Sequence, residues 1–94
     1  MSIRVCYVAQ ARKVAGTSDD VVPWRAGLTL SALLDELAAA RGPDFRTFLF
    51  RSDGRLQATL LIAINDQPVP RGSAETTILN DGDVVTMIPP VAGG

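Results

Sequence analysis

The sequence contains no histidine and a single cysteine, Cys6, among its 94 residues. Without histidine it lacks the usual general base near neutral pH and the commonest metal ligand. One thiol permits no internal disulfide, no CxxC pair and no four-cysteine cluster. Excess charge is missing too: nine Lys and Arg oppose ten Asp and Glu, leaving a net charge of -1. A sequence-independent grip on nucleic acid or an acidic membrane needs a basic excess, so neither partner is expected. No apolar run approaches membrane-spanning length, and the opening MSIRVCYVAQAR has no signal-peptide core. These absences predict a reduced, cytoplasmic domain without cofactor or metal, and a poor candidate for an enzyme acting alone.

What is present is globular. Apolar residues make up 47% and charged ones 20%, outside the range of disordered chains. At this length folding buries roughly 64% of the unfolded surface, enough for one modest core. Residues 3–9, IRVCYVA, predict a strand with Ile3, Val5 and Tyr7 on one face and Arg4, Cys6 and Val8 on the other. Both faces are mostly apolar, so a covered, central strand is expected. Gly16 to Asp20 supplies a turn before a second strand over 21–24, which Pro23 places at a sheet edge.

Thr29 is suited to cap a helix by accepting from its unpaired N–H groups. Leu30, Leu33, Leu34, Leu37 and Ala38 follow with the spacing of one buried stripe, and Gly42-Pro43 stops it. A helix over 30–41 is predicted. Over 44–59, Phe45, Phe48, Leu49 and Phe50 fit a short helix or a strand equally well, and Ser52-Asp53-Gly54 is a turn. A strand is expected over 60–64, then a turn at Asn65-Asp66-Gln67-Pro68, and a last strand over 84–88. The order β-β-α-β-β gives a two-layer α+β domain, a β-grasp with a mixed sheet packed on one main helix.

The chain runs on from the last strand as Pro89-Pro90-Val91-Ala92-Gly93-Gly94. Two prolines end pairing and hold the exit extended. The glycines have no Cβ, so this backbone fits a channel too narrow for other residues. The Gly94 carboxylate is thereby presented like a reactant: inert as it stands, and open to attack by sulfur or nitrogen once joined to AMP. The expected organisation is a β-grasp domain over 1–88 and a flexible Gly-Gly tail over 89–94. A frayed terminus is the plainer reading of the same glycines.

DGDVVTMIPPVAGG, residues 81–94, resembles the C-terminus of the MoaD/ThiS family of sulfur carriers. YVAQARKVAG, residues 7–16, resembles the start of the molybdopterin synthase small subunit, with weaker matches at Asp53-Gly54-Arg55-Leu56 and Ala63-Ile64-Asn65. The resemblance implies that Gly94 is adenylated by an E1-like adenylyltransferase with ATP and converted to a thiocarboxylate. It implies that Pro90, Val91, Ala92 and Gly93 thread the partners' channels. It further implies a molybdopterin synthase large subunit as acceptor, in a heterotetramer, with the catalytic groups on the partners. There the tail would donate sulfur to a pterin precursor. The stretch after Asp53-Gly54 is a few residues longer than in the typical synthase subunit, and the ending also resembles carriers feeding cysteine biosynthesis. The thiamine-pathway carrier is usually shorter and ranks below both.

Other residues carry weaker signals. Cys6, inside a predicted central strand, reads as a buried small hydrophobe rather than a persulfide relay. Met87 and Ile88 fall on opposite strand faces, and the resemblance makes Ile88 the exposed, partner-binding one. Arg12 matches an arginine of the family and either pairs with an acidic partner or is simply solvated. Asp19-Asp20 and Asp81/Asp83 read as turn formers, since a calcium site needs six to eight oxygens. Two further functions stay open: a protein modifier joining Gly94 to a lysine, and a binding module whose tail is never activated. Lys13, the sole lysine, would restrict chain building by a modifier.

Overall fold

The computed structural model describes residues 1–70 and 72–89. Its elements are β1 (Ser2–Tyr7), α1 (Gln10–Ala15), β2 (Asp19–Pro23), α2 (Leu30–Arg41), α3 (Pro43–Leu49), β3 (Leu61–Ile64), β4 (Gln67–Pro68) and β5 (Val84–Ile88). The strands form one mixed sheet in the order β2-β1-β5-β3-β4, with β1 and β5 parallel and every other pair antiparallel. This is the β-grasp arrangement. β1 is flanked on both sides, and β2, which carries Pro23, lies at the edge where a missing N–H costs no ladder bond.

Strand alternation decides what the sheet buries. Ile3, Val5 and Tyr7 of β1, Val85 and Met87 of β5, and Ile62 of β3 face the helices and are buried. α2 covers them with Leu30, Leu33, Leu34, Leu37 and Ala38, each leucine contributing about 1.5–3 kcal/mol where fully buried and the alanine methyl about 0.8 kcal/mol. The Thr29 hydroxyl accepts from Ala32 N–H at 3.1 Å, the expected N-cap. The opposite face of β1 departs from expectation: Arg4 is exposed and Cys6 half-buried, so β1 is central but covered on one side only. The thiol is therefore not a core group.

Three elements add to the expected order. α1 packs through Ala11 and Ala15, two small residues one turn apart, and closes at Gly16 in the left-handed conformation, with its N–H on Arg12 C=O at 2.9 Å. Gly42-Pro43 does end α2, but Pro43 also occupies the first turn of α3, where its missing N–H is no loss. α3 buries Phe45 and Leu49, so residues 44–49 resolve to helix; a lone bridge, Phe50 with Leu56, follows. The turn expected at 65–68 is tighter. Asn65 and Asp66 both have positive φ, 50° and 69°, as a two-residue hairpin turn requires, and Gln67–Pro68 pairs back as β4.

β5 is held at its start by side chains. Asp83 Oδ1 accepts from Asn65 Nδ2 and Asp83 Oδ2 from Asn80 N–H, both at 2.8 Å. Asn65 Oδ1 accepts from Val84 N–H at 2.9 Å, and Asp81 Oδ1 from Ser2 N–H at 3.0 Å. Asp81 and Asp83 are turn formers, as expected, whereas Asp19 and Asp20 are not: they open β2, paired with Cys6 and Val5 of β1. Asp81 and Asp83 pin the register that sets which residue ends the strand.

Candidate functional site

The register of β5 determines how the tail leaves the fold. Met87 lies beside Tyr7 of β1 and Ile62 of β3 and is fully buried, whereas Ile88 points to the other side and is 38% exposed. Pro89 follows and is buried. Pro89 is the first residue of the tail expected over 89–94, so its burial departs from a flexible segment at that position; the other tail residues, Pro90, Val91, Ala92, Gly93 and Gly94, lie outside the described residues. The described residues at this end thus close with β5, a strand hydrogen-bonded on both sides, and Pro89.

Around that point the sheet's uncovered face is largely uncharged. Ile88 sits opposite Leu61, itself 54% exposed, as a cross-strand apolar pair at the sheet's end. One step back, Cys6, Thr86 and Ala63 form a row across three strands. The charge on this face is Arg4, whose Nε and Nη2 donate to Asp19 Oδ2 at 2.9 and 2.7 Å. Arg4 lies opposite Val84, at the other end of β5 from Ile88, so the apolar pair can bury against a partner surface at little desolvation cost.

Arg12 lies on exposed α1, which begins directly after β1 ends at Tyr7. Because Tyr7 neighbours Met87, Arg12 and Ile88 belong to the same end of the sheet. Among the described residues the Arg12 guanidinium has no ion-pair partner. Cys6 stands on the open face, one element away from that end.

α1 is held by a network that the sequence does not announce. Asp20 Oδ2 accepts from Tyr7 Oη at 2.7 Å and from Arg41 Nε at 2.8 Å, and Arg41 Nη2 also donates to Asp20 Oδ1. Arg41 Nη1 donates to Ala15 C=O at 2.6 Å, tying the end of α1 to β1, β2 and α2. Burial opposes ionisation of Asp20, but the hydrogen bonds from Arg41 and Tyr7 outweigh it and hold the carboxyl below its usual range. Burial, and then the Asp20 acceptor, push the Tyr7 phenol well above its usual range. The arrangement is structural: a neutral phenol and a salt-bridged carboxylate offer no proton near neutral pH.

Among the described residues there is no group of His, Cys, Asp and Glu able to hold a metal ion. A cleft of about 440 Å³ opens between the 50–60 segment and the start of α2, lined by Leu30, Phe50, Leu56, Leu60, Val69 and Ala74. Ser31 and Glu75 also line it, with Ser31 N–H donating to Ala74 C=O at 3.0 Å.

Comparison with known proteins follows the same lines. A family model, the ThiS family, matches residues 5–94. The molybdopterin synthase sulfur carrier subunit of Chlamydomonas reinhardtii is 32% identical over 94 residues, covering all of both chains. The sulfur carrier protein CysO of Mycobacterium tuberculosis is 38% identical over 69 residues, 72% of this chain and 74% of the relative. Among solved structures, SAMP1 from Haloferax volcanii superposes with a TM-score of 0.86 at 26% identity, covering 100% of each chain.

Proposed function

The chain belongs to the ThiS family, and from that premise we propose that it is a sulfur carrier acting through its Gly94 carboxylate, most directly toward a molybdopterin precursor. The observation that carries the acceptor is the full-length likeness to a molybdopterin synthase sulfur carrier subunit, covering all of both chains. In this reading an E1-like adenylyltransferase joins Gly94 to AMP, releasing pyrophosphate from ATP. A sulfur nucleophile then displaces AMP and leaves a thiocarboxylate. The charged tail enters a molybdopterin synthase large subunit, in a heterotetramer, and gives its sulfur to the pterin. This chain supplies position; the partners supply acid, base and nucleophile.

The fold supports this division of labour. Val91, Ala92, Gly93 and Gly94 follow Pro89-Pro90, and the short side chains suit a narrow channel. Ile88 and Leu61 are the apolar contact that seats the carrier beside that channel, and Arg12, at the same end and without an ion-pair partner among the described residues, meets an acidic partner group. A second reading has its own support: the likeness to CysO is higher in identity, 38%, over 72% of the chain, and favours an acceptor in cysteine synthesis. Likeness to SAMP1, a small archaeal modifier protein, supports conjugation to lysine as a third.

The test is intact mass after incubation with the cognate E1-like enzyme, ATP and a sulfur donor. Exchange of one oxygen for sulfur, placed on Gly94 by fragmentation, is the expected outcome. Gly94→Ala sets a Cβ in the channel and is expected to lower charging by about a hundredfold, as small misplacements at a reacting centre do. Undiminished charging of that variant would refute the threading argument. The charged carrier, offered separately to the large synthase subunit with its pterin and to a cysteine synthase homologue, is expected to discharge on the first; discharge only on the second selects the cysteine reading.

A further inference from the structure

The free edge of the sheet has a hydrogen-bonding pattern that matches itself. β2 pairs with β1 in a register that places Val5 opposite Asp20 and Ile3 opposite Val22. Tyr7 N–H donates to Ser18 C=O at 2.9 Å and Trp24 N–H to Met1 C=O at 3.1 Å. In an antiparallel ladder bonded pairs alternate, so residues 18, 20, 22 and 24 turn their backbone groups toward β1. Asp19, Val21 and Pro23 turn theirs outward. The exposed edge therefore offers N–H and C=O at Val21, N–H at Asp19, and C=O at Pro23.

Such an edge invites another strand unless something blunts it. Pro23 removes one donor. A twofold axis through Val21 sets each strand antiparallel to its copy, so the two Val21 residues exchange both their bonds. Each Asp19 then faces the other copy's Pro23: the Asp19 N–H donates to the Pro23 carbonyl, and the bond Pro23 cannot make would have gone to the Asp19 carbonyl. That carbonyl already accepts from Thr17 Oγ1 at 3.3 Å. The missing donor and the satisfied acceptor fall at the same place.

The side chains agree. Val21 is 69% exposed, the most exposed apolar side chain inside any strand, and at the axis it packs on its own copy. Asp19 is neutralised by Arg4 at 2.7 Å within its own chain, so the strands meet without opposed charges. With a net charge of -1 per chain, long-range repulsion is slight.

We infer that β2 is a self-pairing edge, through which two copies of this chain join their sheets across a twofold axis at Val21. The joint leaves the proposed carrier end free, because β5 lies two strands in from β2. A strand of five residues makes a small interface. Association is accordingly weak, with a dissociation constant on the order of 10⁻⁴ M, as for contacts below the standard interface size.

Sedimentation and translational diffusion of the purified full chain, from about 20 µM to 2 mM, bracket that constant. Expected are a monomer at the low end, a dimer at the high end, and a Val21 amide that exchanges more slowly as concentration rises. Val21→Lys puts like charges face to face at the axis and is expected to stay monomeric throughout, with an unchanged melting temperature at the lowest concentration. Pro23→Val supplies the absent donor to the second lone pair of the Asp19 carbonyl, which Thr17 leaves open, and is expected to tighten the dimer by roughly tenfold. A wild-type chain that stays monomeric at the highest concentration, or a Val21→Lys chain that still dimerises, overturns the proposal. Association unaltered by Pro23→Val overturns the register.

Discussion

Replacing Asp20 by alanine tests how α1 and β2 are held. The substitution leaves the Tyr7 hydroxyl, on a side chain that is 1% exposed, without the acceptor it has at 2.7 Å. An unsatisfied group of this kind costs about 1–3 kcal/mol. Arg41 loses its carboxylate but keeps Ala15 C=O, and with its side chain 26% exposed it regains some water, so its loss is about 1 kcal/mol. Together the expected destabilisation is about 3 kcal/mol, or roughly a 15 °C fall in melting temperature for a domain of this size. Urea unfolding followed by circular dichroism measures it. Tyr7→Phe removes the orphaned hydroxyl itself, so in the Asp20→Ala background it should recover about 1 kcal/mol rather than add to the loss. The pH dependence has a fixed sign. Asp20 is held below its ordinary 3.8, so the stability it contributes is fully present above that pH and fades as pH falls through the folded value. Wild type and Asp20→Asn should therefore converge in acid. A loss under about 1 kcal/mol, with additive single and double variants, would refute the network as a stabilising unit.

Two further perturbations address β5. Asp83→Ala strips acceptors from the Asn65 side chain and the Asn80 N–H at once; a loss of about 2 kcal/mol is expected by chemical denaturation, and Asn65→Ala in that background should add little. Ile88→Glu places a charge on the exposed face of β5 and should leave stability within about 0.5 kcal/mol. Its binding to the activating enzyme, read by calorimetry or competition, is expected to weaken by roughly tenfold or more, as for loss of an apolar anchor.

The main helix was legible because its signals are local and redundant: a Thr29 cap, five apolar residues at helical spacing, and Gly42 at the end. β5 was legible to the residue, since alternation and the Asn80-Asp81-Gly82-Asp83 turn bound it, and Met87 and Ile88 took the faces expected of them. α1 was missed because its buried side chains are two alanines, too small to stand out as an apolar stripe. α3 is undecided in sequence because Phe45, Phe48, Leu49 and Phe50 fit helix or strand and Pro43 marks both a stop and a first turn; β4 falls inside the expected 65–68 turn, since two residues are too few for a period. Cys6 was placed in the core on the strength of apolar neighbours; only the count of layers, one helical layer on one side, decides that its face is open. The Asp20–Arg41–Tyr7 network joins residues from three elements, with nothing in local sequence to link them. Its nearest signals were Arg41, at the end of the predicted helix over 30–41, and Asp20, which the sequence placed in a turn rather than a strand.

The place of β5 between β1 and β3 also governs when this chain becomes a folded protein. A ladder joining the first strand to the last closes a very long loop; the Ser2–Asp81 bond spans 79 positions. Before residues 84–88 are available, β1 and β3 face each other across a gap, and the buried side of each lacks Val85 and Met87. Such non-local pairing is slow, since the entropy of closing the loop is lost before the contacts reward it. During synthesis the earlier strands and helices accordingly wait, partly exposed, until β5 emerges and inserts. The segment that inserts last is the one that residues 89–94 follow in sequence, so the anchor of the proposed tail exists only in a molecule whose sheet is finished. Completion of the fold and readiness of the tail are a single event, and a chain arrested short of β5 has neither.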